Sequence, residues 1–403
     1  MALLSVSEAL ERILDQAAPL EALKVDLLAA PGRTLAAPIH AHFDNPPFDA
    51  SAMDGYAVRA DDIAELPATL ELIGESGAGS PYSGRVGRGQ AVRILTGAPV
   101  PRGADTVVIQ ENVSASETTV TIRSPAAQGA NIRRQGEDFA KDALLLDRGR
   151  RLTARDILLA AASGNSEISV VRKPVIAILS TGDELVEPGL PLAPGQIPAS
   201  NGYALAAMIG SAGGEAKLLG IARDNLTSLD RLLRDAETAD ILLTIGGASV
   251  GDRDLVRPAL EAAGAKLDFY KVAMRPGKPL FFGRRRINGR KQLCLGLPGN
   301  PVSAIISARI FLVPLITRML GRAADPEMTD AILAEPIAAN GPRQHFMRAL
   351  LDRTHSPPRV APLKSQDSGL VTVLQRADCL LVVAPDAPPQ PAGTPVKILS
   401  LDI

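Results

Sequence analysis

Hydrophobic and polar positions along this chain repeat with two periods, and the places where the period changes divide it into regions. The opening MALLSVSEALERILDQ has apolar residues at helical spacing, and Ser5 and Glu8 stand at capping-box spacing. With no basic stretch and no small-residue cleavage site, it reads as an amphipathic helix rather than a secretion signal. Pro31-Gly32 marks a turn. Short β-like runs follow (AVRILTG, TVVIQENV, TVTIRS), separated by Gly, Pro and Ser clusters. RLTARDILLAAASGN returns to the helical period, stops at a glycine and leads into a short strand, EISVV.

Further along, strand-like runs (VIAILS, KLLGIA, ILLTIG, LCLGL) alternate with helical stretches (GYALAAMIGSAG, LTSLDRLLRDAET, PVSAIISARIFLVPLITRML). That alternation predicts a parallel α/β sheet. The last part is Pro-rich with short alternating runs such as CLLVVAP and VKILSLDI, which predicts a small β-domain. The pattern thus predicts a multidomain α/β plus β protein. Residues 1–45 and 145–173 form a discontinuous helical linker region, 46–144 a β-rich lobe inserted within it, 174–325 the α/β domain and 326–403 the terminal β-domain.

Length agrees, since 403 residues exceed what one core usually organises. No run of 18 or more apolar residues occurs, which argues against a membrane span. The net charge of −1 gives no global attraction to nucleic acid or acidic membranes, and the absence of Trp leaves little for base stacking. An anionic ligand must therefore be caught by local cations and backbone N–H groups. Cys294 and Cys379 lack CxxC spacing, which argues against a disulfide framework, a zinc ribbon or an iron–sulfur cluster and fits a reducing cytoplasm. His40, His42, His345 and His355 are scattered, and the i,i+2 pair reads as surface rather than a metal site.

Chemistry concentrates after the predicted strands. VIAILS runs into Thr181-Gly182-Asp183-Glu184, ILLTI into Gly246-Gly247-Ala248-Ser249 and on to Asp252 and Asp254, and LCLGL into Pro298-Gly299-Asn300-Pro301. In an open parallel sheet all three turns fall at the carboxyl edge, where such folds bind ligands. Glycines let backbone N–H groups approach a phosphate, and a following helix adds its positive end. Asn300 suits an N-cap and Pro301 the first helical position. Asp183, Glu184, Asp252 and Asp254 would repel a phosphate unless a cation such as Mg²⁺ lay between them. The segment 270–279 brings Lys271, Arg275 and Lys278 within eight residues, suited to phosphate or a tetrahedral oxyanion, with a solvated basic loop as the alternative. No G-x-x-x-x-G-K-[ST] loop exists, which excludes an ordinary P-loop ATPase, and GAGSPYSG reads as a plain loop.

Together STGDEL, GGASVGDRD, MRPGKP and LPGNPVSA resemble the molybdopterin molybdenumtransferase (MoeA) family, which includes the gephyrin E domain. NPPFDASAMDGYAV, RILTGAPVPRGADTVVIQEN and RRQGEDF add to the resemblance in the family's order, over nearly the whole chain. The resemblance implies a helical linker region, an inserted β-lobe, a parallel α/β molybdopterin-binding domain and a C-terminal β-barrel. It implies insertion of molybdate into adenylylated molybdopterin with Mg²⁺-dependent release of AMP, the last step of molybdenum-cofactor assembly. A cytoplasmic homodimer with a site shared between protomers is implied too. So are partners in the adenylyltransferase and in recipients of the cofactor, with no nucleic acid and no membrane.

Carried over residue by residue, Glu184, Asp254, Asp54 and Thr96 would be catalytic, with Glu184 and Asp254 organising the metal. Asp138, Asp224, Gly246, Gly247 and Ser249 would meet substrate. Lys271, Arg275 and Lys278 would hold the pterin phosphate or molybdate, Pro298, Pro301 and Ser303 would shape the oxyanion pocket, and Arg348 and Ser368 would belong to molybdate. Three positions depart from the family: Arg275 replaces a lysine, Asp367 stands where Gly is expected, and Ala349 rather than Gly follows Arg348. Other readings are an adenylyltransferase or pyrophosphatase sharing the α/β domain, a scaffold, and a pterin carrier. The β-lobe motifs and the terminal domain argue against the first.

Overall fold

Ser5 starts the first helix, α1 (Val6–Leu14). Its hydroxyl accepts from Glu8 N at 3.2 Å, and the Glu8 carboxylate accepts from Ser5 N at 2.9 Å. This computed structural model describes residues 3–247 and 255–402. By contacts it divides into two compact units, one of residues 1–23, 32–36 and 170–403, the other of 24–31 and 37–169.

The first unit is built on a six-stranded sheet. Its strands are β1 (Val175–Thr181), β2 (Glu215–Ala222), β3 (Ile241–Ile245), β4 (Lys266–Lys271), β5 (Pro279–Ile287) and β6 (Arg290–Leu297), in the spatial order β2-β1-β3-β6-β5-β4. β2, β1, β3 and β6 are mutually parallel, as the alternation of strands and helices predicts. β5 runs antiparallel to β6 and β4, and the segment 270–279, for which the sequence leaves a solvated basic loop as the alternative, is partly strand, with Lys271 as the last residue of β4. Along β1, Ile176 and Ile178 enter one core and Ala177 and Leu179 the other, because both faces are covered. The helices α2 (Asn201–Ala212), α3 (Leu226–Asp235), α4 (Val256–Ala262) and α5 (Pro301–Ser307) supply that cover. Val6, Ala9 and Ile13 of α1 join the first of these cores.

The helical stretch Pro301–Met319 is long and apolar enough to cross a membrane by length and composition, but 83% of it is buried in the fold. It is the central core helix, interrupted by a π-turn at Ala308–Leu312.

The terminal strands β7 (Met328–Leu333), β8 (Gln344–Asp352), β9 (Arg359–Pro362), β10 (Cys379–Val383) and β11 (Pro395–Ser400) close into a five-stranded barrel, because β8 pairs with β10 as well as with β9. Ala349, Leu381 and Val383 fill its interior, while Phe346 and Leu380 turn outward into the α/β core. Ala349 lies within continuous strand, so no turn follows Arg348.

The second unit holds another six-stranded sheet, ordered 106–109, 55–58, 90–94, 68–76, 119–122, 113–115. Its helix Ala154–Ala162 begins with Asp156 accepting from Thr153 N and Arg150 Nε, each at 2.7 Å.

The start of β1 is held by one ionic cluster. Arg172 donates to both carboxylate oxygens of the buried Asp240, at 2.8 and 2.9 Å, and also pairs with Glu21. Asp240 further accepts from Val175 N at 2.8 Å, which ties β1 to the start of β3. Removing one partner of a buried pair leaves an uncompensated charge. Arg172→Met is therefore expected to lower the unfolding free energy by about 3 kcal/mol, read from urea denaturation. Adding Asp240→Asn to that variant should recover part of the loss, and no recovery would contradict this account.

Candidate functional site

The carboxyl ends of β1, β3 and β6 open into a cleft of about 680 Å³. All three glycine turns named from the sequence line it, through Thr181-Gly182, Gly246-Gly247 and Pro298-Gly299-Asn300-Pro301. Short bonds fasten the turns to one another. Gly246 N donates to Leu297 O at 3.1 Å, Thr181 Oγ1 to Ile245 O at 3.3 Å, and Gly182 N to Ala222 O at 3.2 Å. Asn201, at the start of α2, donates from Nδ2 to Gly299 O at 2.7 Å. Sequence reasoning passed over Asn201, although Ser200-Asn201 before an apolar helical run is an ordinary helix-start signal.

Of the predicted site residues, Glu184, Asp224, Gly246, Gly247, Pro298 and Pro301 line this cleft. Ser249 and Asp254, with Asp252, lie outside the described residues. Asp183 joins the other acids: its carboxylate accepts from Asp224 N at 3.2 Å, and its carbonyl accepts from Arg223 Nη1 at 2.9 Å. Partial burial, then the negative Asp183 and Glu184, hold the Asp224 carboxyl above the usual aspartate range. Such crowding of negative charge suits a divalent cation, and Mg²⁺ bound with a phosphate needs only one or two carboxylates. Among the described residues, no group of three or more His, Cys, Asp or Glu side chains is placed to hold a metal ion.

Lys271, Arg275, Lys278, Ser303, Arg348 and Ser368 do not line the cleft. Ser368 reaches its rim, since its hydroxyl oxygen accepts from Asn300 Nδ2 at 3.1 Å and its carbonyl from Val302 N at 3.2 Å. One residue back, the Asp367 carbonyl accepts from Arg348 Nη1 at 2.9 Å. The Asp367 carboxylate accepts from Gly369 N at 2.7 Å, so it is engaged in its own turn. Arg348 is only 1% exposed, and its Nε and Nη2 have no hydrogen-bond partner among the described residues. Ser307 Oγ and His345 Nε2 are also buried and unpartnered. A side chain at Gly277 would stand 2.5 Å from Ser307 Oγ, which sets the Arg275–Lys278 loop against this helix. Arg275 lies in register with His345. Burial, then Arg275, Arg348 and Arg343, push His345 down to about 4, so the ring is neutral near pH 7. Nothing in the sequence distinguished Ser307 or His345, because their isolation comes only from packing.

In the second unit, Asp54 Oδ1 accepts from both Thr96 N and Thr96 Oγ1 at 2.7 Å. The backbone bond from Thr96 keeps Asp54 below the usual carboxylate range. Asp138 Oδ2 accepts from Asn45 Nδ2 at 2.9 Å. Asp54 and Thr96 form one pair, and Asp138 stands with Asn45.

Three family descriptions cover the chain: the MoeA N-terminal region (domain I and II) over residues 4–164, a probable molybdopterin binding domain over 177–318, and the MoeA C-terminal region (domain IV) over 330–401. This chain belongs to the MoeA family. It is similar to the molybdopterin molybdenumtransferase of Haemophilus influenzae, at 34% identity over 98% of each chain. The protein of that name from a Nostoc species is 40% identical over 80% of this chain and 76% of its own. In structure it is similar to the molybdopterin biosynthesis MoeA protein of Pyrococcus horikosii, with a TM-score of 0.85, 32% identity and 99% of both chains covered. The expected architecture of α/β domain, inserted β-rich lobe and terminal barrel is the family's.

The Asp224 arrangement has a testable sign. A carboxyl whose folded value is raised binds protons more tightly in the folded state, so it opposes folding once pH rises above that value. Asp224→Asn is expected to raise the melting temperature of the cation-free protein at pH 7. The gain should shrink as pH falls through the ordinary aspartate range. Differential scanning calorimetry across pH checks this, and a lower melting temperature at pH 7 would contradict it.

Proposed function

We propose that this chain is a molybdopterin molybdenumtransferase, inserting molybdate into adenylylated molybdopterin and releasing AMP with the help of Mg²⁺. The observation that carries the reading is Arg348, a buried guanidinium whose Nε and Nη2 have no hydrogen-bond partner among the described residues. Buried guanidinium donors without acceptors are costly even with the Asp367 carboxylate acting on the charge, and a divalent tetrahedral oxyanion offers the missing acceptors. Molybdate is such an ion.

Within this reading the cleft lined by the glycine turns and the start of α5 receives the nucleotide-bearing pterin. Lys271, Arg275 and Lys278 meet its phosphate or the incoming oxyanion; Arg275 keeps the charge of a lysine and adds a planar donor fork. Pro298, Pro301 and Ser303 shape the wall between pterin and molybdate, and Ser368 orders that wall through Asn300 and Val302. Glu184 and Asp254 would hold Mg²⁺, with Asp224 and Asp183 adding to the negative field. When bound, the ion supplies charge neutralisation at the phosphates. The acids position rather than attack, so no covalent protein intermediate forms.

The same reading makes the chain a cytoplasmic homodimer, in which Asp54, Thr96 and Asp138 serve the site of a second copy. The partners that fit are the enzyme that adenylylates the pterin and the proteins that receive the finished cofactor. Retention of Asp54, Thr96 and Glu184 supports turnover over a scaffold or a carrier.

Purified protein given adenylylated molybdopterin, Mg²⁺ and molybdate is expected to release AMP, and Glu184→Gln to lose at least 100-fold of that rate. Binding without release, or a trapped phosphoprotein, would overturn the proposal. For the shared site, Glu184→Gln and Asp54→Asn proteins, each inactive alone, are mixed after dissociation. The mixture should regain about a quarter of wild-type turnover, because half the dimers carry one intact site. No recovery from fully exchanged subunits would show that each chain supplies its own site.

A further inference from the structure

Four cations stand together at the opposite edge of the α/β sheet, and none of them has an acid. Lys266 on β4 lies directly across from Arg284 on β5, and Arg286 on β5 lies directly across from Lys291 on β6. Arg284 and Arg286 are two residues apart on one strand, so all four side chains leave the same face. They line a cleft of about 420 Å³, completed by Gly264 and Arg285. Like charges directly opposite on adjacent strands repel, and here that happens twice.

The surroundings do not relieve the repulsion. Among the described residues, no ion pair reaches any of the four. The acids nearest in the sheet are engaged elsewhere, Asp268 by Arg12 at 3.7 Å and Asp240 by Arg172 and Arg290. Gln16, just beyond α1, receives the cations instead. Its side-chain oxygen accepts from Arg284 and, at 3.2 Å, from Lys291, and its carbonyl accepts from Lys291 at 2.6 Å. A neutral amide orients these groups without cancelling their charge. Burial, then Arg284 and Arg286, hold the Lys291 ammonium below its ordinary range. Arg285 differs from its neighbours: it is buried, donating to Gln292 and to the Leu233 carbonyl, so the middle of the RRR run anchors the strand while its flanks face the cleft.

This cleft shares no lining residue with the glycine-turn cleft. Lys266 and Lys291 lie at the amino ends of β4 and β6, a strand length from the carboxyl edge, on the order of 20 Å. Oriented, uncompensated cations in a concavity fit a ligand that brings several negative charges. Two guanidinium groups add the paired donors that phosphate oxygens accept. The concavity favours a small anion over the flat acidic face of a protein.

We propose that this cleft is a second anion site, which takes a phosphate-class polyanion such as pyrophosphate or the polyphosphate tail of a nucleotide. It is separate from the catalytic cleft and independent of the reaction assigned there.

The test is titration calorimetry of the full chain with inorganic pyrophosphate and with ATP, without Mg²⁺ and at constant ionic strength. Wild type is compared with Lys266→Gln/Arg286→Gln, two exposed positions with no hydrogen bond or ion pair among the described residues. We expect binding of both ligands in wild type and at least tenfold weaker binding of each in the variant. The free variant should melt at the wild-type temperature or above it, because repulsion has been removed; a structural role for these cations would lower it. Pyrophosphate binding equal in both proteins, ATP binding without pyrophosphate binding, no binding of either, or a melting temperature several degrees lower would each overturn the proposal.

Discussion

Everything in the α/β site depends on how closely three strand ends meet at Gly246. Its φ of +87° turns the chain away from β3, and a side chain there would stand 2.9 Å from the Thr181 carbonyl. Its N–H is spent on Leu297 O, at the end of β6. The turns after β1, β3 and β6 therefore share one small volume, and none can shift alone. This closeness turns three weakly informative glycine motifs into a single cleft, with the start of α5 on one side and the acids after β1 and β2 on the other. A residue with a Cβ at Gly246 would need both the left-handed backbone and space that Thr181 occupies.

Much of this was legible because strand and helix periods are local. The four parallel strands, the helices between them and the three turns each follow from runs a few residues long. The antiparallel strand was harder. β5 begins after a segment dense in Pro, Gly and cations, and its RRRI end has no alternation that betrays a sheet, because Arg285 is buried by a partner far away in sequence. Likewise α1 has a plain amphipathic pattern, but nothing in that pattern says which core receives Val6 and Ile13. The side chains around Arg348 were legible only in part. Arg348 and Ser368 come from motif resemblance, whereas Ser307 and His345 acquire meaning only once packing deprives them of partners.

The α/β sheet is also electrically divided along its strands. Its carboxyl edge carries glycine turns with Asp183, Glu184 and Asp224, and its amino edge carries Lys266, Arg286 and Lys291 on one face. With a net charge of −1 the chain has no overall bias, so each end is set by local placement. Acids at the carboxyl edge would fit a phosphate only with a cation between them, and Mg²⁺ bound with a phosphate needs one or two carboxylates. On the β4–β6 part of the amino edge the cations meet the neutral Gln16, whereas at the starts of β1 and β3 Arg172 and Arg290 are paired with Asp240.

The oxyanion region follows a third logic. Arg348 is held by the barrel yet faces the core helix, and the loop from Asp367 to Ser368 ties it to the beginning of that same helix. One backbone carbonyl satisfies one guanidinium nitrogen and leaves two unsatisfied. Had the site evolved only for stability, a buried apolar residue in place of Arg348 would avoid the desolvation cost that an unpaired charge incurs. Ser307 and His345 incur the same kind of cost on a smaller scale. His345 and Arg348 lie three residues apart on β8, on opposite faces of the strand, so their open groups are separate costs. An anion beside the Arg348 guanidinium would remove the largest of these costs, and under the proposed function that cation is what the terminal barrel would contribute to the site.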